Sequence, residues 1–529
     1  MKSFWKHYGA IITLIFSGAL TALPVILPKL GFLQWVSMIP AALILLLTAE
    51  DSEIRYRRAY GRGLMYFWAY YAVVFHWFFY MYPLDFAGLS DFASLTVVLV
   101  ACFGLSLLQA LFSAVAFVIV AAICRTPTVK RIPCLSPAVC AATYVIAEWF
   151  QTVGWWGVPW GRLPLGQVEA PLFLRSASVF GSYFVTFVIV AVNFCIAYAI
   201  LHKETVRLLA IVAVSLFCFN LALGTIVTVT YREEGEPLTV AAAQGNIPSG
   251  EKWSGDHLEK ILLTYEELTV AAAANGADII VWPETAIPFD VFSRPDIMGF
   301  MSRLAKDNEI TILFSAFTTD KESDMPCNSI LEIKPDGSVG ESIYNKQRLV
   351  PFGEFVPMRR LVMMLIPPLA EVGMLEEDLL PGEKSVVFET DVGNVGCGIC
   401  FDSIYEELIR ASVKEGAEII AISTNDSWFA DSAALAMHNS QSVLRAIENG
   451  RYVVRSANTG ISSVIDPMGR VLDSLGANRE GYVMKEVYLR EQTTLYTRIG
   501  NVIVWLCMTL DAVLCAEFLL AVRKSSKQH

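Results

Sequence analysis

Over the first 230 residues the hydrophobic positions run almost without interruption. Uncharged or nearly uncharged stretches lie at Tyr8–Pro28, Gly31–Ala49, Gly63–Tyr82, Ala93–Ile123, Leu135–Gln151, Ser176–Leu201 and Leu208–Thr230, with one more at Ile499–Val522. A helix of about 20 apolar residues crosses the hydrocarbon core of a bilayer and satisfies its own backbone while doing so. The pattern therefore predicts a bundle of eight spans, seven before a long polar insert and one after it. The Ala93–Ile123 run exceeds one crossing and is expected to tilt or to extend into a loop. Lys2 and Lys6 before the first run give it the outline of a signal peptide, but the immediate succession of further spans favours an uncleaved first helix.

Between residues 233 and 498 the pattern changes to strands alternating with amphipathic helices. Strands are expected at Leu238–Ala243, Asp278–Trp282, Ile310–Ala316, Val386–Glu389, Asn394–Cys400, Glu418–Ser423, Tyr452–Ser456 and Tyr482–Tyr488. Helices are expected at His257–Ala274, Ile297–Asp307, Ile404–Glu415 and Ala433–Asn449. Pro335-Asp336-Gly337 and Pro467-Met468-Gly469 read as hairpin turns, the first joining Ser329–Ile333 to Ser338–Tyr344. The domains expected are thus 1–232, 233–498 and 499–529, with the middle one a layered α/β fold.

Composition adds the solvent. A chain of 529 residues that is 55% hydrophobic, with mean hydropathy +0.50, is too apolar to be wholly soluble. Fourteen Lys and Arg fall at the N-terminus, in the loops around Arg55–Arg62, Arg125–Arg131 and Lys203–Arg207, and in the C-terminal tail; the alternate loops hold only Lys29, Arg162 and Arg175. By the positive-inside rule both termini are expected in the cytoplasm and the insert outside it. A net charge of −11 without a long basic stretch argues against a nucleic-acid partner. Eight of the eleven cysteines lie in or beside apolar segments, so no disulfide framework is expected. The loop Glu148–Gln167 is dense in Trp, Gly and Pro; it reads as an interfacial aromatic belt, or more sharply as a wall through which a lipid reaches a site.

Three polar groups stand at strand ends, where side chains are held rigidly at the rim of a sheet. Glu284 follows the buried strand ending Val281-Trp282-Pro283, Lys346 follows Tyr344-Asn345, and Cys400 ends Asn394–Cys400. Acyl transfer through cysteine needs a base for the thiol proton, a cation where the oxyanion forms, and an accessible sulfur. One of each is present. A Ser-His-Asp arrangement is harder to build, since His257 and His438 are the insert's only histidines and neither lies in a nucleophile-elbow context. Taken singly, each group has a plainer reading, because a Glu after a strand is more often a solvated loop residue. Cys397-x-x-Cys400 lacks a second ligand pair for zinc, and its spacing on a strand puts the two thiols on opposite faces.

The ordered set Glu284, Lys346, Glu354 and Cys400 resembles the Glu-Lys-Cys triad, with its second Glu, of the nitrilase superfamily. The flanking motifs resemble its membrane-embedded branch, the apolipoprotein N-acyltransferases. They are Gln244-Gly245-Asn246-Ile247-Pro248 with Trp253, Trp282-Pro283-Glu284-Thr285, Leu349-Val350-Pro351-Phe352-Gly353-Glu354, Asn425-Asp426-Ser427-Trp428-Phe429 and Arg455-Ser456-Ala457-Asn458-Thr459-Gly460. Glu148-Trp149, Pro159-Trp160 and Tyr496-Thr497-Arg498 fit as well. The chain departs where the family commonly has Tyr and Glu after the nucleophile, and here has Phe401 and Asp402.

The resemblance implies an αββα sandwich catalytic domain and a ping-pong reaction in the outer leaflet of a bacterial inner membrane, without metal or cofactor, by a monomer. A membrane phospholipid would acylate Cys400, with Glu284 as base and Lys346 and the Phe401 N–H holding the oxyanion. The α-amine of an S-diacylglyceryl-cysteine on an apolipoprotein would then take the acyl group. Glu354, Phe401 and Asp402 would support the site, and Trp253 and Trp428 would bind substrate. Val356–Leu375, apolar and broken at Pro367-Pro368, is expected either to pack in the core or to form a mobile arm into the lipid. The alternatives are a membrane-anchored amidase using water as acceptor, and a non-catalytic receptor on an inactive nitrilase-like domain.

Overall fold

The computed structural model describes residues 2–51, 56–84, 90–253, 257–365 and 377–526. The chain divides into two compact units, one made of Met1–Tyr82, Leu95–Tyr231 and Ile499–His529, the other of Pro83–Ser94 and Arg232–Arg498.

The first unit is all helix. Six helices among the described residues are long and apolar enough to cross a membrane: Tyr8–Ile26, Pro28–Glu50, Asp91–Ile123, Ser182–Leu201, Lys203–Thr230 and Val502–Lys524. Two of the eight expected spans differ from these. The third is already helical at Tyr56, ahead of Gly63, and so carries Arg57, Arg58 and Arg62, and it ends at Val74 before a 3₁₀ segment. The fifth, Leu135–Phe150, is only 16 residues long. The overlong run is a single helical path, Asp91–Ile123, interrupted by a π turn at Val100–Gly104.

The tryptophan-rich loop is not an exposed belt throughout, because its charged and indole groups at Glu148, Trp160 and Arg162 are buried. The Glu148 carboxylate accepts from the Leu163 N–H (2.8 Å) and from Thr186 Oγ1 (2.6 Å), and Arg162 lies over the Tyr183 ring at 4.1 Å. Asp511, a costly group in hydrocarbon, faces the interior and accepts from Thr143 Oγ1 at 2.7 Å.

The second unit is a sandwich of two sheets. Its strands are β1 (Pro237–Gln244), β2 (Ile279–Val281), β3 (Ile287–Asp290), β4 (Thr311–Thr319), β5 (Pro326–Ile333), β6 (Tyr344–Asn345), β7 (Val387–Thr390), β8 (Gly393–Ile399), β9 (Ile419–Thr424), β10 (Val453–Ala457), β11 (Ser462–Ile465), β12 (Val471–Leu475) and β13 (Gly481–Tyr488). One sheet runs β13-β1-β2-β4-β5-β6, with β3 on β4; the other runs β12-β11-β10-β9-β8-β7. The central strands β1, β2 and β4, and likewise β8, β9 and β10, pair in parallel. Their sequences are correspondingly apolar on both faces. Val240, Ile279, Val281, Val395, Ile399, Ile419 and Val454 fill the space between the sheets. Helices Leu258–Ala274 and Pro295–Asp307 cover the outer face of the first sheet, where Tyr265, Leu268, Met301 and Leu304 pack on Ile280, Trp282 and Phe314. Helices Glu406–Lys414 and Ala433–Asn449 belong to the second half, giving the αββα order.

The first expected hairpin is present: β5 pairs antiparallel with the short strand β6, Ile330 opposite Tyr344 and Ser329 opposite Asn345. An Ile333–Val339 bridge lies nearer the turn, and the Lys334 N–H donates to Ser338 O at 2.9 Å, while the other edge of β5 pairs along its length with β4. The last strand, β13, leaves the second sheet and joins β1 antiparallel. Residues 366–376, which include Pro367-Pro368 of the expected arm, lie outside the described residues. Before them Arg359–Leu365 is helical, with Met358 and Met364 exposed, and Asp378 anchors its base through the Val356 N–H and the Arg359 guanidinium.

Candidate active site

Glu284, Lys346 and Glu354 come together as a buried ionic cluster. Lys346 Nζ donates to Glu284 Oε1 at 2.8 Å and to Glu354 Oε1 at 2.7 Å. Lys346 is only 1% exposed. Burial opposes its charge, but the two carboxylates prevail and hold the ammonium well above its ordinary range. The peptide on either side is fixed as well: the Lys346 N–H donates to Asn328 O (2.8 Å) and its carbonyl accepts from the Gly382 N–H (2.8 Å). Glu284 leaves β2 through Pro283 into a turn whose next residue, Thr285, takes a left-handed φ of 46°.

Asn328, on β5, was not anticipated from the sequence. Its side-chain amide donates to Glu284 Oε1 (2.9 Å) and Glu354 Oε1 (3.3 Å), tying the two carboxylates that flank the lysine. The Asn425 backbone N–H donates to the other Glu284 oxygen at 2.8 Å, and the Val350 N–H to the other Glu354 oxygen at 2.8 Å. An amide side chain inside a buried strand, Pro326-Cys327-Asn328-Ser329-Ile330, was the available signal.

Cys400 is not the last strand residue. It opens a 3₁₀ turn, Cys400–Ile404, with φ at 48°, a region that residues with a Cβ seldom occupy. Burial and then the Glu284 carboxylate push its thiol up, against the pull of Lys346. The resting sulfur is therefore a thiol with a carboxylate as its electrostatic neighbour. Cys397 is sealed in the inter-sheet core, so it is no rival to Cys400 for a reagent at the surface.

Asp402 and Phe401 act on the turn. Asp402, fully buried, accepts from Tyr344 OH (2.8 Å) and the Ile399 N–H (3.1 Å) on one oxygen and from the Arg348 N–H (2.7 Å) and Gln347 N–H (3.2 Å) on the other. The shorter acid thus staples the segment after Lys346 to the start of the Cys400 turn. Burial raises its carboxyl to about 6. Phe401 packs edge-on against Tyr405 at 5.5 Å.

Of the two expected substrate-binding tryptophans, Trp253 is 37% exposed, next to Lys252 and 6.2 Å from the Phe317 ring. Lys252 is buried, donates to the Glu284 carbonyl at 2.7 Å, and is brought down to about 7 by burial. Trp428 sits partly buried in the 3₁₀ turn Ser427–Phe429, three residues past Asn425.

Among the described residues, Cys400, Asp426 and His438 place a sulfur, a carboxylate oxygen and a ring nitrogen within 4.8 Å of one another. Asp426 is already engaged by His438 Nδ1 (2.8 Å), Thr424 Oγ1 (3.0 Å) and Arg455 Nη2 (2.8 Å), so the group is a hydrogen-bonded relay rather than a seat for a cation.

Two family profiles match the chain: "Apolipoprotein N-acyltransferase N-terminal domain" over residues 17–195 and "Carbon-nitrogen hydrolase" over residues 239–495. An apolipoprotein N-acyltransferase of Geobacter metallireducens is 34% identical over 70% of this chain and 72% of its own length. One from Gloeobacter violaceus is 30% identical over 92% of this chain and 89% of its own. Among solved structures, a mutant of the Nesterenkonia AN1 amidase from the nitrilase superfamily aligns with a TM-score of 0.37 and 16% identity, over 51% of this chain and 96% of its own. Apolar helices that could cross a membrane and a carbon–nitrogen hydrolase domain with a buried Glu-Lys-Glu cluster beside a cysteine thus occur in one polypeptide, and the chain belongs to the apolipoprotein N-acyltransferase family.

Proposed function

We propose that the protein moves an acyl chain from a membrane phospholipid to the N-terminal α-amine of an S-diacylglyceryl-cysteine, through a thioester on Cys400. The observation that carries this reading is the Lys346 ammonium held between Glu284 and Glu354, with the charge of Glu284 acting on the Cys400 thiol. Glu284 takes the thiol proton as sulfur attacks the ester carbonyl and the C–S bond forms. Lys346 and the Phe401 N–H receive the negative oxygen. The ester C–O bond then breaks and Glu284 returns the proton to the departing lysophospholipid hydroxyl. In the second half the acceptor amine attacks the thioester, Glu284 takes its proton, the C–N bond forms, and Cys400 leaves and is reprotonated.

Catalysis beside a bilayer follows from the substrates. Each buried CH₂ is worth about 0.8 kcal/mol, so neither acylated partner leaves the membrane to meet a soluble enzyme. The eight-span arrangement, with catalytic domain outside the cytoplasm and both termini inside, rests on the Lys and Arg imbalance between loops. Incubation of the full chain with a defined phospholipid should add one acyl mass to the peptide bearing Cys400, lost on adding the acceptor. An acyl mass confined to any other residue would overturn the assignment.

A further inference from the structure

Beside the Glu-Lys-Glu cluster, a second buried chain of polar side chains reaches the cysteine. It begins at Arg455 on β10, passes through Asp426 in the turn after β9, and ends at His438 on the helix Ala433–Asn449; all three are fully buried. It ends on the backbone of the nucleophile. His438 Nε2 lies 3.2 Å from the Cys400 carbonyl oxygen, and Ser403 Oγ donates to the same oxygen at 2.7 Å. Ser403 Oγ and His438 Nε2 are themselves 3.1 Å apart.

The proton count along this chain is constrained. Arg455 and the His438 Nδ1–H hold Asp426 as a carboxylate, well below its usual range despite burial. With Nδ1 committed as donor, Nε2 of a neutral ring can only accept, and it must share the single Ser403 hydroxyl proton with the Cys400 carbonyl. In the imidazolium, Nε2–H and Ser403 Oγ–H both point at that carbonyl and every group is satisfied. Burial and the Arg455 guanidinium push His438 below its ordinary value, against Asp426. The charges facing the ring are therefore Arg455 and Asp426, with the Cys400 sulfur as the third titratable group within reach.

Cys400 also needs this support, because its left-handed turn persists only if the surroundings determine it. We propose that the Arg455–Asp426–His438 relay is a positioning element for the nucleophile, fixing the Cys400 carbonyl and supplying an imidazolium charge near the sulfur as pH falls. It acts through the Cys400 carbonyl, which the Glu284 cluster does not touch in the hydrogen bonds described above, and rests on the reading of Cys400 as nucleophile.

Alkylation of Cys400 by iodoacetamide, followed by peptide mass on the full-length chain in lipid nanodiscs, tests it without any acyl transfer. His438→Asn keeps a donor to Asp426 but cannot reach the Cys400 carbonyl; His438→Gln reaches the carbonyl. The expected result is alkylation slowed roughly tenfold or more in His438→Asn and within about threefold of wild type in His438→Gln. At pH values well below 6.5, because burial and Arg455 hold His438 under that ordinary value, the wild-type rate should also fall less steeply with acid than that of either variant, since neither variant gains a positive charge there. Wild-type rate and pH profile in His438→Asn would overturn the relay. Should His438→Asn not fold, Ser403→Ala reads the same carbonyl: slower alkylation supports the relay and an unchanged rate overturns it. Either negative result leaves the thioester on Cys400 standing, whereas a missing acyl mass with altered alkylation removes the thioester and keeps the relay.

Discussion

Two buried charge networks approach Cys400, and they differ in what they present to it. Glu284, Lys346 and Glu354 are two carboxylates around one ammonium, a cluster with one net negative charge. Arg455, Asp426 and a neutral His438 cancel. Desolvated charge is tolerated only when paired and hydrogen-bonded, so the partners of each group identify its state. The surplus negative charge lies in the first network, where a proton from sulfur can be accepted. The second ends on a carbonyl, where it can hold geometry but does not compete as base in its neutral, Asp426-bound form. The difference assigns chemistry to the first network and orientation to the second.

The largest effects come from the sulfur itself. Cys400→Ala and Cys400→Ser should abolish acyl-enzyme formation by mass, while Cys397→Ala, which trims a thiol in the inter-sheet core, should retain most of it. Equal loss in both would show that the core, not the nucleophile, is being read. Next is the charged cluster. Glu284→Gln keeps the shape but cannot take a proton, and the acylation rate should drop about 10²–10⁴-fold. Lys346→Met leaves two carboxylates facing each other without their cation, a defect worth about 3–5 kcal/mol, so it should also lower the melting temperature. Glu284→Gln at wild-type rate would move the base to the other network.

Asn328→Ala tests the tie between the two carboxylates. Removing a donor to buried anions costs about 1–3 kcal/mol, and part of that should appear as an acylation rate roughly ten- to a hundredfold slower with Cys400 still present. That this residue went unread in the sequence has a physical reason. Glu284, Lys346 and Glu354 were legible because they follow apolar strands or a Pro-Phe-Gly turn, where a charged residue interrupts the pattern. Asn328 and His438 lie inside elements whose neighbours are core residues, and the pattern records burial there without saying which donor meets which acceptor. The fold behaves alike. The alternation of strands and helices from Leu238 to Tyr488 is local and was legible. The departure of β13 to pair with β1 is a long-range choice of register. In the membrane unit apolar length was legible, but that the third helix already includes Arg57, Arg58 and Arg62 was not.

The smallest effect on chemistry and the most direct on stability should come from Asp402, which joins the segment after Lys346 to the Cys400 turn. Four donors converge on its two oxygens, so at neutral pH Asp402→Asn leaves one oxygen to receive them and an amide among N–H groups. The variant should melt below wild type at pH 7 and retain most of its acylation. Acid should widen the gap. The carboxyl is raised from 3.8 to about 6, chiefly by burial, so between those values the folded chain holds a proton that the unfolded chain has released. The contribution of Asp402 to stability therefore falls as pH rises through that window and is level above it. The amide of the variant does not titrate, so the melting temperature of wild type minus that of Asp402→Asn should grow as pH drops from 6 to 4 and stay constant from 6 to 8. A difference that shrinks on acidification would mean that the hydrogen bonds and Lys346 outweigh burial at this carboxyl. Asp402 would then belong with the ionised Glu-Lys-Glu cluster and not with the turn it fastens.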